Sequence, residues 1–171
     1  GYSASMKINN LFIPSMTTIG NGISNYTAQN LGAGKIERIK MGFRAGVKIV
    51  WTICVPIVLL YLTASGFLIE LFMEEPTEEA LLSGVQFLRI VTPFYFLISV
   101  KLATDGILRG LGLMKQFMIA TITDLILRVI LAMVFAKPFG YVGIWWSWPL
   151  GWCLGTTLSL CFYRANIIKK V

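Results

Sequence analysis

Long apolar runs separated by short charged links dominate the chain, and the length of the runs decides what they are. A helix that crosses a bilayer needs about 20 mainly apolar residues, because the hydrocarbon core is about 30 Å thick and each residue adds about 1.5 Å. Four runs meet that length: 49–69, uncharged; 90–108, with Lys101 and Asp105; 117–136, with Asp124 and Arg128; and 141–163, uncharged. A fifth, 8–29, is uncharged but rich in Asn, Thr and Ser, so hydropathy alone rates it weak although its length fits. The pattern predicts an all-α integral membrane protein, one membrane domain over 1–171 with five transmembrane helices. Residues 76–89 are too polar for lipid, yet they open with Pro76, Glu78 and Glu79, residues suited to the positive end of a helix. They predict an interfacial helix leading into the third span.

Composition agrees: 56% of the 171 residues are hydrophobic and 13% charged, with a mean hydropathy of +0.74, far from a soluble domain. The formal charge of +7 argues less for nucleic acid than for Lys and Arg collected on cytoplasmic links. The links alternate accordingly. Lys35, Arg38, Lys40, Arg44 and Lys48 follow the first span, Glu70, Glu74, Glu75, Glu78 and Glu79 the second, Arg109 and Lys115 the third, Lys137 the fourth, and Arg164, Lys169 and Lys170 the last. This predicts an external N-terminus, a cytoplasmic C-terminus and a multi-pass location in the cytoplasmic (inner) membrane. Tyr141, Trp145, Trp146 and Trp148 read as an interfacial aromatic belt at the outer end. Cys54, Cys153 and Cys161 lie in apolar runs, and with no histidine present neither zinc nor a disulfide framework is indicated. No cleavable leader is visible and the first residue is Gly, which reads as a start inside a longer polypeptide.

The link "YTAQNLGAGKIERIKMG", Tyr26 to Gly42, invites a phosphate-loop reading that fails on inspection. A G-x-x-x-x-G-K-[ST] loop ending at Gly34-Lys35 would need Gly where Gln29 stands and a hydroxyl where Ile36 stands. Gly32 and Gly34 instead predict a helix end and tight turn. The same link resembles the Gln-Asn-x-Gly-Ala-Gly-x-x-x-Arg elbow of the multidrug and toxic compound extrusion (MATE) family, between its eighth and ninth helices. "DGILRGLG", Asp105 to Gly112, is similar to the Leu-Arg-Gly-x-Gly segment ending that family's tenth helix. "GYVGIWWSWPLGW", Gly140 to Trp152, resembles the opening of its twelfth.

The resemblance implies helices eight to twelve of a twelve-helix fold whose two six-helix lobes rock between inward- and outward-open states. The chain would then be most of the C-terminal lobe, and its partners would be the lipid bilayer, the missing N-terminal lobe of the same polypeptide, and an organic cation or drug-like substrate. No cofactor is implied beyond a coupling ion, sodium or proton. Some members carry a carboxylate eleven residues before the Arg of the Leu-Arg-Gly segment; Ile98 stands there.

Candidate residues follow from physics first. Asn10, Thr17, Thr18, Asn21, Ser24 and Asn25 share one helix face with Pro14, and polar side chains facing lipid are costly, so this face meets protein or water. It reads either as a substrate cleft wall, with Tyr26 at its inner end and Tyr95 as a possible ring for a flat cation, or as hydrogen-bonded packing helped by Gly20 and Gly22. Phe94 and Phe96 beside Pro93 carry the same two readings. Lys101 and Asp105, Asp105 and Arg109, and Asp124 and Arg128 are each four residues apart and can pair. Asp124 and Asp105 are the ion-coupling candidates, with structural pairing as the plainer reading. Gln29 and Asn30 are expected to cap the elbow helices, and Arg109, Gly110 and Gly112 to form a helix end.

With these features, the resemblance implies a cation-coupled exporter of drug-like organic cations working by alternating access. The alternatives are a lipid-linked precursor flippase of the same broad superfamily, disfavoured by the uncharged Asn/Thr stripe, or a non-transporting scaffold subunit. Enzymatic chemistry is not expected, because no His, Gly-x-Ser-x-Gly or close acid pair supplies a reactive group.

Overall fold

The computed structural model describes residues 2–73 and 77–168, so Gly1, Glu74, Glu75, Pro76, Lys169, Lys170 and Val171 lie outside the described residues. Within them the chain forms helices and turns alone: α1 (Tyr2–Gly32), α2 (Ile36–Thr63), α3 (Ser65–Leu71), α4 (Glu78–Val91), α5 (Tyr95–Gly110) and α6 (Met114–Ile168), with a short 3₁₀ turn over Thr92–Phe94. Three stretches are long and apolar enough to cross a membrane, Ile36–Thr63, Glu78–Gly110 and Met114–Ile167.

A straight α6 would be about 80 Å long, more than twice what a bilayer needs. It reverses instead at Gly140, whose φ of 59° and ψ of −140° leave the helical region. Gly143 then lies against Phe135, Gly151 against Arg128, and Gly155 against Asp124, the register of an antiparallel helical hairpin. Its arms, 114–139 and 141–168, are the fourth and fifth rods expected from the sequence. The first arm leaves Leu125, Ile126, Val129, Ile130, Met133 and Val134 exposed, an apolar band suited to acyl chains.

The other spans depart from their expected limits. The run 49–69 is interrupted at Ala64 (φ −112°, ψ 21°), and its helix begins at Ile36, so the basic link is already helical. Of the interfacial helix expected over 76–89, Pro76 lies outside the described residues and the rest is continuous with the third span. Thr77 caps α4, accepting from the Ala80 amide at 3.4 Å, and α4 runs through Pro93 into α5 as a single rod. Because Gly84, Phe87, Leu88 and Val91 are buried, packing against α1, α3 and α6 holds α4 in the bundle.

α5 is the central rod, flanked by α1, α2 and both arms of α6. Its closest neighbour is α1, where Gly20 and Gly106 meet backbone to backbone and Gly110 lies against Ser24 and Thr27. Small residues allow such approach, and in lipid the resulting dispersion contacts are a main source of helix association. Gly22 has open space around it and takes no part.

Two turns at one end of the bundle share a motif. The amide of Gly34 donates to Leu31 O (3.0 Å) and that of Lys35 to Asn30 O (2.8 Å); the amide of Gly112 donates to Arg109 O (3.0 Å) and that of Leu113 to Leu108 O (2.8 Å). These are paired 5→2 and 6→1 bonds around a left-handed residue, φ 68° at Gly34 and 74° at Gly112. Gly34 and Gly112 therefore make the turns, while Gly32 and Gly110 remain helical. Gln29 and Asn30 do not cap either helix with their side chains: Asn30 Nδ2 donates back to Tyr26 O (2.9 Å), and Gln29 contributes its carbonyl to the Ala33 amide. Gly34→Ala and Gly112→Ala are each expected to cost about 1–2 kcal/mol, the penalty of a Cβ in the left-handed region. Thermal unfolding of the purified protein in detergent checks this, and an unchanged midpoint would refute it.

Candidate functional site: a charged cavity between α1, α5 and the α6 hairpin

Three helices present one face each to a cavity of about 390 Å³. α5 contributes Ile98, Lys101, Asp105 and Arg109, at steps of three and four; the first arm of α6 contributes Phe117, Thr121, Asp124 and Arg128 in the same rhythm. Asn9, Asn10, Pro14 and Thr17 of α1 and Trp148 and Trp152 of the second arm complete the wall.

Charge is concentrated here and largely buried. Lys101 Nζ lies 2.6 Å from Asp105 Oδ2, with both side chains buried, and Ser159 Oγ donates to Asp105 Oδ1 at 2.6 Å. Asp105 thus has both oxygens engaged. Asp124, 3% exposed, accepts from Arg128 at 3.0 Å through Oδ2, and the Arg128 guanidinium lies 5.2 Å from the Trp148 ring centre. A methyl group on Gly155 would lie 2.8 Å from Lys101 Cε and 3.0 Å from Asp124 Cβ, so the two ion pairs meet at that glycine. The expected Asp105–Arg109 pair is not formed. Lys101 and Ser159 take up the carboxylate, and Arg109 turns to the Phe117 ring, 5.5 Å from its centre.

Five buried side-chain polar atoms among the described residues have no hydrogen-bond partner, and four of them belong to this cavity: Arg109 Nε, Thr121 Oγ1, Asp124 Oδ1 and Arg128 Nε. Buried polar atoms are normally satisfied, so these orphans on α5 and the first arm of α6 single out the cavity as the candidate site.

The sequence candidates divide. Asn10, Thr17, Asp105, Asp124 and Arg109 line the cavity; Asn21 and Asn25 are exposed beyond it. Tyr26 belongs to a separate apolar hollow of about 480 Å³ between α1 and α2, where it covers Gly42 and its hydroxyl donates to Arg38 O at 3.3 Å. Tyr95 corrects its expectation as a cleft residue. It is fully buried, stacked on Phe12 (4.1 Å) with its hydroxyl donating to Asn9 Oδ1 (2.9 Å). Phe94 packs on Trp146 and Phe96 on Trp51. The aromatic belt is half core as well, since Trp145 and Trp148 pack edgewise on Phe87, leaving Tyr141 and Trp146 exposed.

Asn9, Thr121, Trp148, Trp152 and Ser159 were missed. Thr121 and Phe117 were legible from their spacing to Asp124; Ser159 was not, because nothing local tells a buried serine in an apolar helix that a carboxylate faces it.

The MatE family model matches residues 1–134. The chain belongs to the MATE family. This MATE chain is 25% identical over 165 residues, 96% of its length, to the probable multidrug resistance protein YpnP of Bacillus subtilis (strain 168), of which it covers 37%. It superposes on an outward-facing multidrug resistance MATE transporter of the MOP superfamily with a TM-score of 0.90 at 19% identity, covering 99% of this chain and 38% of that one. Against an inward-facing MATE transporter the TM-score is 0.80 at 22% identity, covering 93% and 38%. The MATE chain therefore spans under two-fifths of the length of the relatives it matches, and the likeness fixes an all-α membrane fold.

Proposed function

We propose that this MATE chain forms part of a multidrug exporter that moves drug-like organic molecules out of the cell in exchange for an inward-moving sodium ion or proton. The carrying observation is Asp124: a carboxylate 3% exposed, with Oδ1 unpartnered, facing a cavity shared by three helices. Ionisable residues inside a membrane protein are expensive to keep and tend to line ion and substrate paths. The coupling ion and the cationic part of a cargo molecule would compete for the Asp124 carboxylate, and such competition converts an ion gradient into export when the lobes alternate in access. α1 supplies neutral polar groups, Asn10 and Thr17, for the rest of the cargo. The orientation that fits places the basic turns at Gly34 and Gly112 on the cytoplasmic side of the inner membrane.

Asp124→Asn in the full-length gene product is expected to reduce efflux of a fluorescent drug from cells about tenfold, a coupling loss of ordinary size, with membrane expression retained. Unchanged efflux would leave Asp124 as packing only.

A further inference from the structure

Val100 lies on the face of α5 turned away from Asp105 and Arg109, and there it helps to line a groove of about 370 Å³. Arg44, Val47, Lys48 and Trp51 of α2 form one side of this groove, and Leu160 of the second α6 arm forms the other. Toward the basic link, the Phe43 and Tyr163 rings, 4.7 Å apart, bridge α2 to that arm. Trp51 is 46% exposed, yet its ring is fixed: Nε1 donates to Phe96 O at 3.3 Å and the ring meets Phe96 edgewise. Apart from the two basic side chains the lining residues are apolar. Those two cations give the groove a polar end. Arg44 and Lys48 are exposed, one turn apart on one helix face, and are the last charges of α2 before its uncharged stretch begins at Ile49. They therefore stand where hydrocarbon gives way to headgroups, with stems that can reach the interface. Neither forms an ion pair among the described residues, and Glu37, the acid of the same link, is held by Lys40 at 2.7 Å.

We propose that this groove binds one anionic phospholipid, whose headgroup meets Arg44 and Lys48 and whose acyl chain lies along Val47, Trp51, Val100 and Leu160. Charge complementarity selects the occupant. A guanidinium pairs bidentately with a phosphate, and an ammonium one turn away adds a second point charge. A zwitterionic headgroup brings its own cation to the same place and gains less, whereas a net negative one is attracted by both residues. The site rests on the membrane fold alone and is independent of the exporter reading.

Trp51 supplies the readout, because bromine on an acyl chain quenches the fluorescence of an indole that it touches. The full-length protein is reconstituted in phosphatidylcholine vesicles with rising fractions of either dibrominated phosphatidylglycerol or dibrominated phosphatidylcholine. The part of the quenching that is absent from Trp51→Phe reports the groove. Phosphatidylglycerol is expected to be preferred by about thirtyfold, about fivefold for each basic residue. The double variant Arg44→Gln with Lys48→Gln should abolish the preference, and either single variant should lower it to about fivefold, which keeps the test intact should the double variant fail to fold. Lys115→Gln, at the turn between α5 and α6, should leave it unchanged. Equal quenching by the two lipids, or a preference that survives in the folded double or single variants, overturns the anionic site. A preference lost equally in Lys115→Gln would show general surface attraction and overturn it too. Absence of bromine quenching at Trp51 overturns the lipid itself, and means that protein, from the rest of the polypeptide or a second copy, covers the groove.

Discussion

Lys101→Met is expected to destabilise the protein by about 3–5 kcal/mol, because it leaves the Asp105 carboxylate buried without its cation. The Nζ–Oδ2 distance is 2.6 Å and both side chains are 4–5% exposed, so water cannot replace the lost partner. Ser159 supplies one hydrogen bond to Asp105 and no charge. Removing both partners is a different matter. The double variant Lys101→Met with Asp105→Leu exchanges a desolvated ion pair for apolar contacts of similar volume, and such exchanges are often neutral or stabilising. The double variant should therefore recover most of the loss. Denaturant unfolding of the purified full-length protein across the four-member cycle measures this. A single-variant cost below about 1 kcal/mol, the range of exposed pairs, would mean that the site is wet and the pair weak.

The second large effect lies where α1 and α5 touch. A Cβ on Gly106 would run into the Gly20 carbonyl, and one on Gly20 would lie 2.8 Å from Leu102 O. The obstacle is helix backbone and cannot rotate away. Gly106→Ala is expected to cost about 1–3 kcal/mol by overpacking, and Gly106→Leu to prevent accumulation of folded protein altogether. Separating these helices would also dismantle the cavity wall, since Asn10 and Thr17 face Lys101 and Asp105 across the same interface. Gly22→Ala is the internal control. With open space around Gly22, the substitution gains helix propensity of up to about 1 kcal/mol. Size-exclusion profiles and thermal midpoints of the three variants decide the point; equal tolerance at Gly106 and Gly22 would show that the close approach is not needed.

Much of this architecture is legible in the sequence. Run lengths located the rods because bilayer thickness sets helix length, and the Gly140 reversal falls between two runs that were already separate. Lys101, Asp105 and Asp124, singled out as charges inside apolar runs where each is costly enough to need a reason, are buried. The turns were legible to within two residues: glycine marks a helix end, but which of Gly32 and Gly34, or of Gly110 and Gly112, adopts the left-handed conformation depends on where the preceding helix stops.

What the sequence by itself determined is therefore one-dimensional. It set which segments are helical, where they turn, and which charges must be buried. The tertiary structure decided the partners. Asp105 has cations four residues away on either side, at Lys101 and Arg109, and helical spacing treats the two alike. The choice fell to Lys101 because Gly155 of the α6 hairpin leaves room for its chain and Ser159 on the same arm holds the other oxygen, while Phe117 draws Arg109 away. Likewise the periodic face of α1 showed that its polar residues need company, and only packing decided that Asn10 and Thr17 line this cavity while Asn21 and Asn25 are exposed beyond it. Periodicity fixes which side of a helix a residue occupies; what stands on that side belongs to helices distant in sequence, and only their packing brings them there.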